Sequence, residues 1–288
     1  MERSTLAWFR AADPDPSNSL DDTALLIARL RAAHHVDVFT AANAHDFVWR
    51  HFRAPYDACV YELRGCRAHD FIPPYLVHYP GVVVLRGRPH GTHRLLRSAR
   101  LIVTPHSSMV EALQDEHPHA HVRYAPAGIE AVHGGQDDVV RALEWPPSGD
   151  ALTEALAGMA AGKAVVVFET EETADWPALN PQTWQPRGTA SIHPIVVSID
   201  PRDEHHSLKL AMRRLSTDAA LRERLGAAAR AWWTTHATVE HAARAWQQII
   251  AEARTLPPLL RDDWQPPQDG TERAREILAE LGVSVDLF

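Results

Sequence analysis

The chain has 288 residues, 45% of them hydrophobic, enough to bury one large core or two modest ones. Lys plus Arg number 29 against 37 Asp plus Glu, and the net charge of −8 excludes a general attraction to nucleic acid or to an anionic membrane. Two cysteines give no disulfide framework and fit a reducing cytoplasm. The first residues lack the apolar core of a signal peptide, and no run approaches the ~20 apolar residues of a membrane span.

Residues 5–9 read as a first strand, and 13–19 as a loop by their turn chemistry. Asp21 or Asp22 caps a helix carrying Leu25, Leu26 and Leu30, and a second strand covers 35–40. Residues 58–63 form a third strand and the wholly apolar 81–85 a central fourth one, with a short helix over 69–79 between them. A fifth strand at 100–104 leads to Ser108-Met-Val-Glu111, a capping box for the next helix, and 121–125 closes the unit. This alternation predicts a parallel, doubly wound sheet.

Residues 130–135 read as a strand and glycine turn opening a second unit, and 138–145 as a further strand. The most informative stretch is 149–170. Leu152, Leu156 and Met159 fall at i, i+4 and i+7 on one helical side, Gly162 supplies a left-handed terminator, and Lys163 suits the negative C-terminus. Residues 164–168 are apolar and β-branched at their centre, a strand buried on both faces. After a strand at 192–199, a helix is expected over 208–229 and a long last one over 239–253, broken by Pro257 and Pro258, with a short tail helix at 271–281.

The helix ending Ala160-Ala-Gly-Lys163 and its valine strand resemble the C-terminal half of family 4 glycosyltransferases of the GT-B fold. The resemblance extends downstream through Pro194-Ile-Val-Val-Ser-Ile-Asp-Pro201 to Trp246-Gln-Gln-Ile-Ile250, and upstream through Tyr56-Asp-Ala-Cys-Val-Tyr61 and Pro80-Gly-Val-Val-Val-Leu85. It implies an α/β protein of two Rossmann-like lobes (GT-B type), the second abbreviated. Residues 1–127 would be the acceptor-side lobe, 128–235 a reduced nucleotide-sugar lobe, and 236–288 a helix crossing back plus a tail. It further implies a retaining, metal-independent transfer from a nucleotide-sugar co-substrate to an acceptor, in the cytoplasm. No cofactor, nucleic-acid partner or membrane span belongs to that expectation, and homo- and hetero-oligomers both stay open.

In those relatives a Glu-x7-Glu pair flanks the helix. Here the first glutamate falls on Gly149 or Asp150, by choice of register, and the second on Ala157. Asp150 can accept hydroxyl hydrogen bonds over a shorter reach, whereas Ala157 cannot; Asp150 also suits a helix N-terminus capped by Ser148 or Gly149. Ser148, Gly149, Thr153 and Lys163 would accordingly face the donor. Where relatives carry a His-Asp pair after the fourth strand, this chain has Arg86 and Gly87, with His90 and His93 on the same loop. Arg86, at the carboxyl end of a central strand, suits a phosphate or carboxylate, or else an ion pair. Arg86, His90 and Asp150 are therefore the expected catalytic residues. The glycine-rich first loop and the stretch bearing a basic diphosphate-gripping residue are missing. The alternative is a degenerate GT-B-like ligand-binding or partner protein. His117, His119 and His121 read as a polar turn open to adventitious metal, Trp49, Trp232, Trp233 and Trp246 as packing anchors, and Cys59 as core.

Overall fold

A computed structural model describes residues 3–10, 21–63, 82–87, 96, 98–131, 138–143, 149–187 and 193–257. The first sheet contains β1 (Thr5–Phe9), β2 (His35–Phe39), β3 (Ala58–Glu62), β4 (Val83–Arg86), β5 (Ala99–Thr104) and β6 (His121–Tyr124). Their order is β2-β1-β3-β4-β5-β6, and every adjacent pair is parallel. Helices α1 (Asp22–Leu30), α2 (Ala44–Arg53) and α3 (Val110–Glu116) connect them. In β1, Leu6 and Trp8 enter one apolar layer and Ala7 and Phe9 the other, so the strand is buried on both faces. The order reverses between β1 and β3, and the carboxyl ends of those two strands, at Arg10 and Glu62, mark the switch point of the sheet.

The second sheet is parallel throughout, in the order β7 (Val139–Ala142), β8 (Ala164–Phe168), β10 (Val196–Ile199), β9 (Ala178–Leu179). In β8, Val165 and Val167 pack with Leu156 and Met159 of α4 (Gly149–Ala160), while Val166 and Phe168 face Leu215, Leu221 and Leu225. Gly162 ends α4 at φ 70°, as its position in the sequence predicts, with Lys163 N–H donating to the Gly158 carbonyl at 3.0 Å. Helix α6 (Ala219–His236) lies directly on that turn: a methyl group at Gly226 would overlap the Gly162 carbonyl oxygen.

The single helix expected over 208–229 is two, α5 (Glu204–Thr217) and α6. Asp218 leaves helical geometry at φ −108°, ψ 84°, and its carboxylate accepts from Leu221 N–H at 2.9 Å, so an N-cap competes with continuation and wins. The strand expected at 130–135 falls mostly outside the described residues, which omit 132–137; just before it, Ile129 makes an isolated parallel bridge to Thr238. The capping box is not made either. A 3-10 turn, Ser107–Met109, precedes α3, and the Ser108 hydroxyl donates instead to the Glu171 carbonyl, 2.6 Å away in the second lobe. Helix α2 and the two-residue β9 have no counterpart in the sequence reading; the helices at 69–79 and 271–281 fall outside the described residues.

Helix α7 (Val239–Ala253) returns to the first sheet, burying Ala242, Trp246, Ile249, Ile250 and Ala253 beside Trp8 and the leucines of α1. The Trp8 and Trp246 rings meet at 4.9 Å. Glu252 fastens the far end of α7, accepting from Arg123 at 2.8 and 2.6 Å and pairing with His121 at 2.7 Å. The two passages between lobes run side by side at Gly128, where an added Cβ would lie 2.7 Å from the Ala242 Cβ, the Thr238 carbonyl oxygen and the Val239 Cα.

Candidate functional site

In a parallel sheet the loops after the carboxyl ends of the strands are where ligands are held. On the first sheet this edge divides into two parts. At the switch point, Arg86 donates through Nη2 to Asp22 at 2.8 Å and through Nη1 to Glu62 and Thr23; the Thr23 hydroxyl donates onward to Glu62. Arg10 adds a pair of hydrogen bonds to Asp21, at 3.2 and 2.9 Å, and lies 3.7 Å from Glu62. The side chains of Asp22 and Glu62 are only 4% and 7% exposed, so the arginine supplies the hydrogen bonds that water cannot. Burial alone would lower the Arg86 pKa, but Asp22 and Glu62 together hold it above its ordinary value. The Trp8 ring covers the guanidinium, 6.0 Å from its carbon. Asp21 caps α1 while its neighbour Asp22 joins this cluster, which resolves the choice the sequence left between them.

Beyond β5 and β6 the same edge opens into a cavity of about 310 Å³ between the lobes. Pro105, His106 and Ser107 follow β5, Tyr124 ends β6, and Pro126 and Ala127 follow it; opposite them stand Leu152 and Leu156 of α4, Asp175 and Trp176, and Trp232 and His236 of α6. Asp175 is set by a short, internally tied segment after β8. There Thr173 donates to the Phe168 carbonyl at 2.7 Å, Thr170 N–H donates to the Thr173 hydroxyl at 3.1 Å, and Trp176 N–H donates to the Thr173 carbonyl at 3.0 Å. Two hydrogen bonds tie the lobes here: Ser107 to Asp175 at 2.8 Å, and Ser108 to the Glu171 carbonyl.

The wall is aromatic. Trp232 stacks on His236 at 5.0 Å and 16°, and meets Trp176 at 5.6 Å. Tyr124 is 42% exposed, and its phenol pKa is raised by burial and by the nearby Asp175 charge. Among the described lining residues Asp175 is the one carboxylate and no lysine or arginine is present. Chemically the wall offers flat apolar ring faces beside one carboxylate that can accept hydrogen bonds and two imidazoles.

The expected site residues are distributed unevenly over this geometry. The first turn of α4, from Gly149 to Leu152, borders the cavity through Leu152; the Asp150 side chain lies outside the described residues, as do Ser148, His90 and His93. Thr153 is buried, 4% exposed, and is not on the cavity wall. Lys163 does not share a site with Asp150, because it follows the opposite end of α4, on the order of 20 Å away at 1.5 Å per residue. Arg86 does not line the cavity; its guanidinium is committed to Asp22, Glu62 and Thr23. Trp246 and Trp233 are packing anchors, 1% and 7% exposed, but Trp232 is a cavity wall; the Trp49 side chain lies outside the described residues. Asp175, His106 and His236 were missed, and only the Trp232-Trp233 doublet hinted that one of two adjacent indoles must leave the core face. The three histidines of 117–121 find separate partners: His119 the Leu96 carbonyl at 2.8 Å, His121 Glu252, and His117 Glu116 at 3.9 Å. Among the described residues no three His, Cys, Asp or Glu are grouped to hold a metal ion.

In sequence the chain matches no protein-family model, and no curated protein is significantly similar to it. Among solved structures it is similar to HepE from Anabaena in complex with UDP-glucose, at 10% identity over 87% of this chain and 99% of that one, with a TM-score of 0.54. A LacI-family regulatory protein from Chloroflexus aggregans (12% identity, 92% of each chain) and a sugar ABC transporter from Yersinia enterocolitica (14% identity, 80% of this chain and 79% of that one) reach TM-scores of only 0.28 and 0.27, too low to bear on the fold. The first likeness, at that identity, concerns the fold: two Rossmann-like lobes in tandem. No helix among the described residues is long and apolar enough to cross a membrane.

Proposed function

We propose that the chain is a glycosyltransferase-like protein of GT-B type that holds a nucleotide-sugar in the cleft between its lobes. The observation that supports this reading best is the cleft itself, where the loops after β5 and β6 face the first turn of α4 across an aromatic wall with one carboxylate. The sugar ring would rest on Trp176 and Trp232, with Asp175 accepting its hydroxyls. The diphosphate would lie at the N-terminus of α4, which Gly149 and Asp150 begin and Ser148 precedes in sequence, and where the helix dipole favours negative charge without a metal. His90 and His106 would be the imidazoles on the acceptor side. In this reading residues 1–127 are the acceptor-side lobe, 128–235 the donor lobe and 236–288 the crossing helix and tail, and the protein works in the cytoplasm on an acceptor still to be identified.

A second reading is supported by Ala157, which offers no carboxylate, and by the lack of lysine or arginine among the described cavity residues. On that reading the cleft binds a sugar compound without transferring it. Thermal denaturation with a panel of nucleotide-sugars including UDP-glucose tests the first reading, because a donor at ten times its Kd stabilises the fold by about 1.4 kcal/mol. A shift with a nucleotide-sugar, followed by release of its nucleotide when acceptors are added, supports transfer. A shift without turnover supports the second reading. No shift with any member at about a millimolar rejects the nucleotide-sugar assignment.

A further inference from the structure

We propose that the second lobe carries a separate site, on its outer edge, for a small carboxylate with an apolar body. A cavity of about 310 Å³ lies beside the edge strand β9, with Leu179, Leu221 and Leu225 in its floor and Trp184, Arg214 and Arg224 around it. It is on the opposite face of the second sheet from the interlobe cleft. Its leucines belong to the layer that includes Val166 and Phe168, whereas Leu156 of the cleft belongs to the layer that includes Val165 and Val167. No described residue lines both cavities.

Trp184 has φ 59°, a left-handed backbone that a bulky side chain seldom adopts. The surrounding loop holds it there. Trp184 N–H donates to the Asn180 carbonyl at 2.7 Å, Asn180 N–H donates to the Gln185 carbonyl at 3.1 Å, and the Asn180 side chain accepts from Gln182 N–H at 2.8 Å. This brings the indole beneath Arg214, whose guanidinium carbon is 4.7 Å from the ring centroid. Arg214 and Arg224 come from the two helices on either side of the Asp218 break, which the expected continuous helix would have separated differently. Arg214 approaches Asp218 only through Nε, at 3.7 Å, and Arg224 makes no hydrogen bond or ion pair with a described residue. Donor groups of both guanidinium forks are therefore without partners among the described residues, beside an apolar floor and a flat ring.

That combination selects its ligand. The forks take a carboxylate, the leucines take hydrocarbon, and the indole takes a planar group. The volume is at the lower limit for small-molecule sites, which favours a simple aromatic or branched acid over a nucleotide. This site does not depend on what the interlobe cleft binds.

Isothermal titration of the full chain with benzoate and with indole-3-acetate tests the proposal, with benzyl alcohol as the neutral counterpart of benzoate. Both acids should bind, and benzyl alcohol should bind at least about tenfold more weakly because it lacks the charge-assisted pair. Arg214→Gln with Arg224→Gln should weaken the acids by at least about tenfold. Should the double variant fold poorly, Arg224→Gln alone carries the test, since that side chain is exposed. UDP-glucose at saturation should leave the affinities unchanged. Absence of binding at millimolar acid, equal binding of benzyl alcohol, unchanged affinity in the arginine variants, or competition with UDP-glucose would each overturn it.

Discussion

Two neighbouring parts of one sheet edge have been put to opposite uses. At the switch point between β1 and β3 the charged groups answer one another: Arg86 with Asp22 and Glu62, and Arg10, through Nη2 alone, with Asp21. Two strands further along, His106, Ser107 and Tyr124 face Asp175, Trp176, Trp232 and His236 of the second lobe across open volume. The residue types that draw the eye in the sequence, an arginine after a central strand above all, belong to the closed part. A charge brought out of water at the end of a strand must be neutralised by something. When the chain supplies the partners itself, the position is structural however well placed it is for a ligand.

The sharpest way to break this contrast is to remove Arg86. Arg86→Ala strands two buried carboxylates and should lower unfolding free energy in urea by about 3–5 kcal/mol, since loss of one member of a buried pair leaves the other uncompensated. Arg86→Met combined with Asp22→Asn and Glu62→Gln should recover much of that loss. If Arg86→Ala alone is nearly neutral, the cluster is not closed on itself and Arg86 returns as a ligand-binding residue. Next in size is Gly128→Val, which forces a side chain into the contact with α7; overpacking of this kind costs about 1–3 kcal/mol, read in the same denaturation experiment.

A smaller effect should come from Glu252. Burial alone would raise its pKa, but the hydrogen bonds from Arg123 and His121 lower it below the ordinary carboxylate value. A carboxylate whose folded pKa is depressed contributes stability above its unfolded pKa of about 4.3, and loses it as pH falls through the lower folded value. Glu252→Gln should therefore be destabilised by about 1 kcal/mol near neutrality, with the gap to the unsubstituted protein closing below about pH 4. A gap that is constant from pH 7 to pH 3 would mean that the α7 clamp owes nothing to charge. Smallest of all, Asp175→Asn and His236→Gln should change stability by no more than about 0.5 kcal/mol, as surface changes do, because they border a cavity rather than close one.

The parts of the fold that depend on local chemistry could be read in advance. The valine run of β8 needs two buried faces, Gly162 needs its positive φ, and an aspartate must cap α1; each is a matter of a few adjacent residues. The break at Asp218 was equally local and could have been found, since Asp218 stands three residues before Leu221, the offset of an N-cap acceptor. What could not be read was any pairing across long separations. Ser108 looks like a helix cap until the Glu171 carbonyl is seen beside it, and Arg86 looks available until α1 and β3 deliver Asp22 and Glu62. Trp232 and Trp233 differ by one residue and by about 100° of helical rotation, so only the seating of α6 against α4 and the second sheet decides which of them borders the cavity.

The proposed function rests on the cleft and not on the closed cluster. It is tested most directly by titrating UDP-glucose, or whichever nucleotide-sugar stabilises the protein best, into the unsubstituted chain, Asp175→Asn and Trp232→Ala, with folding of each verified by circular dichroism. Measurable binding to the first is expected, with affinities lower by at least about tenfold in both variants, the loss of one charge-assisted hydrogen bond or one stacking face. Affinity unchanged in two correctly folded variants would contradict it.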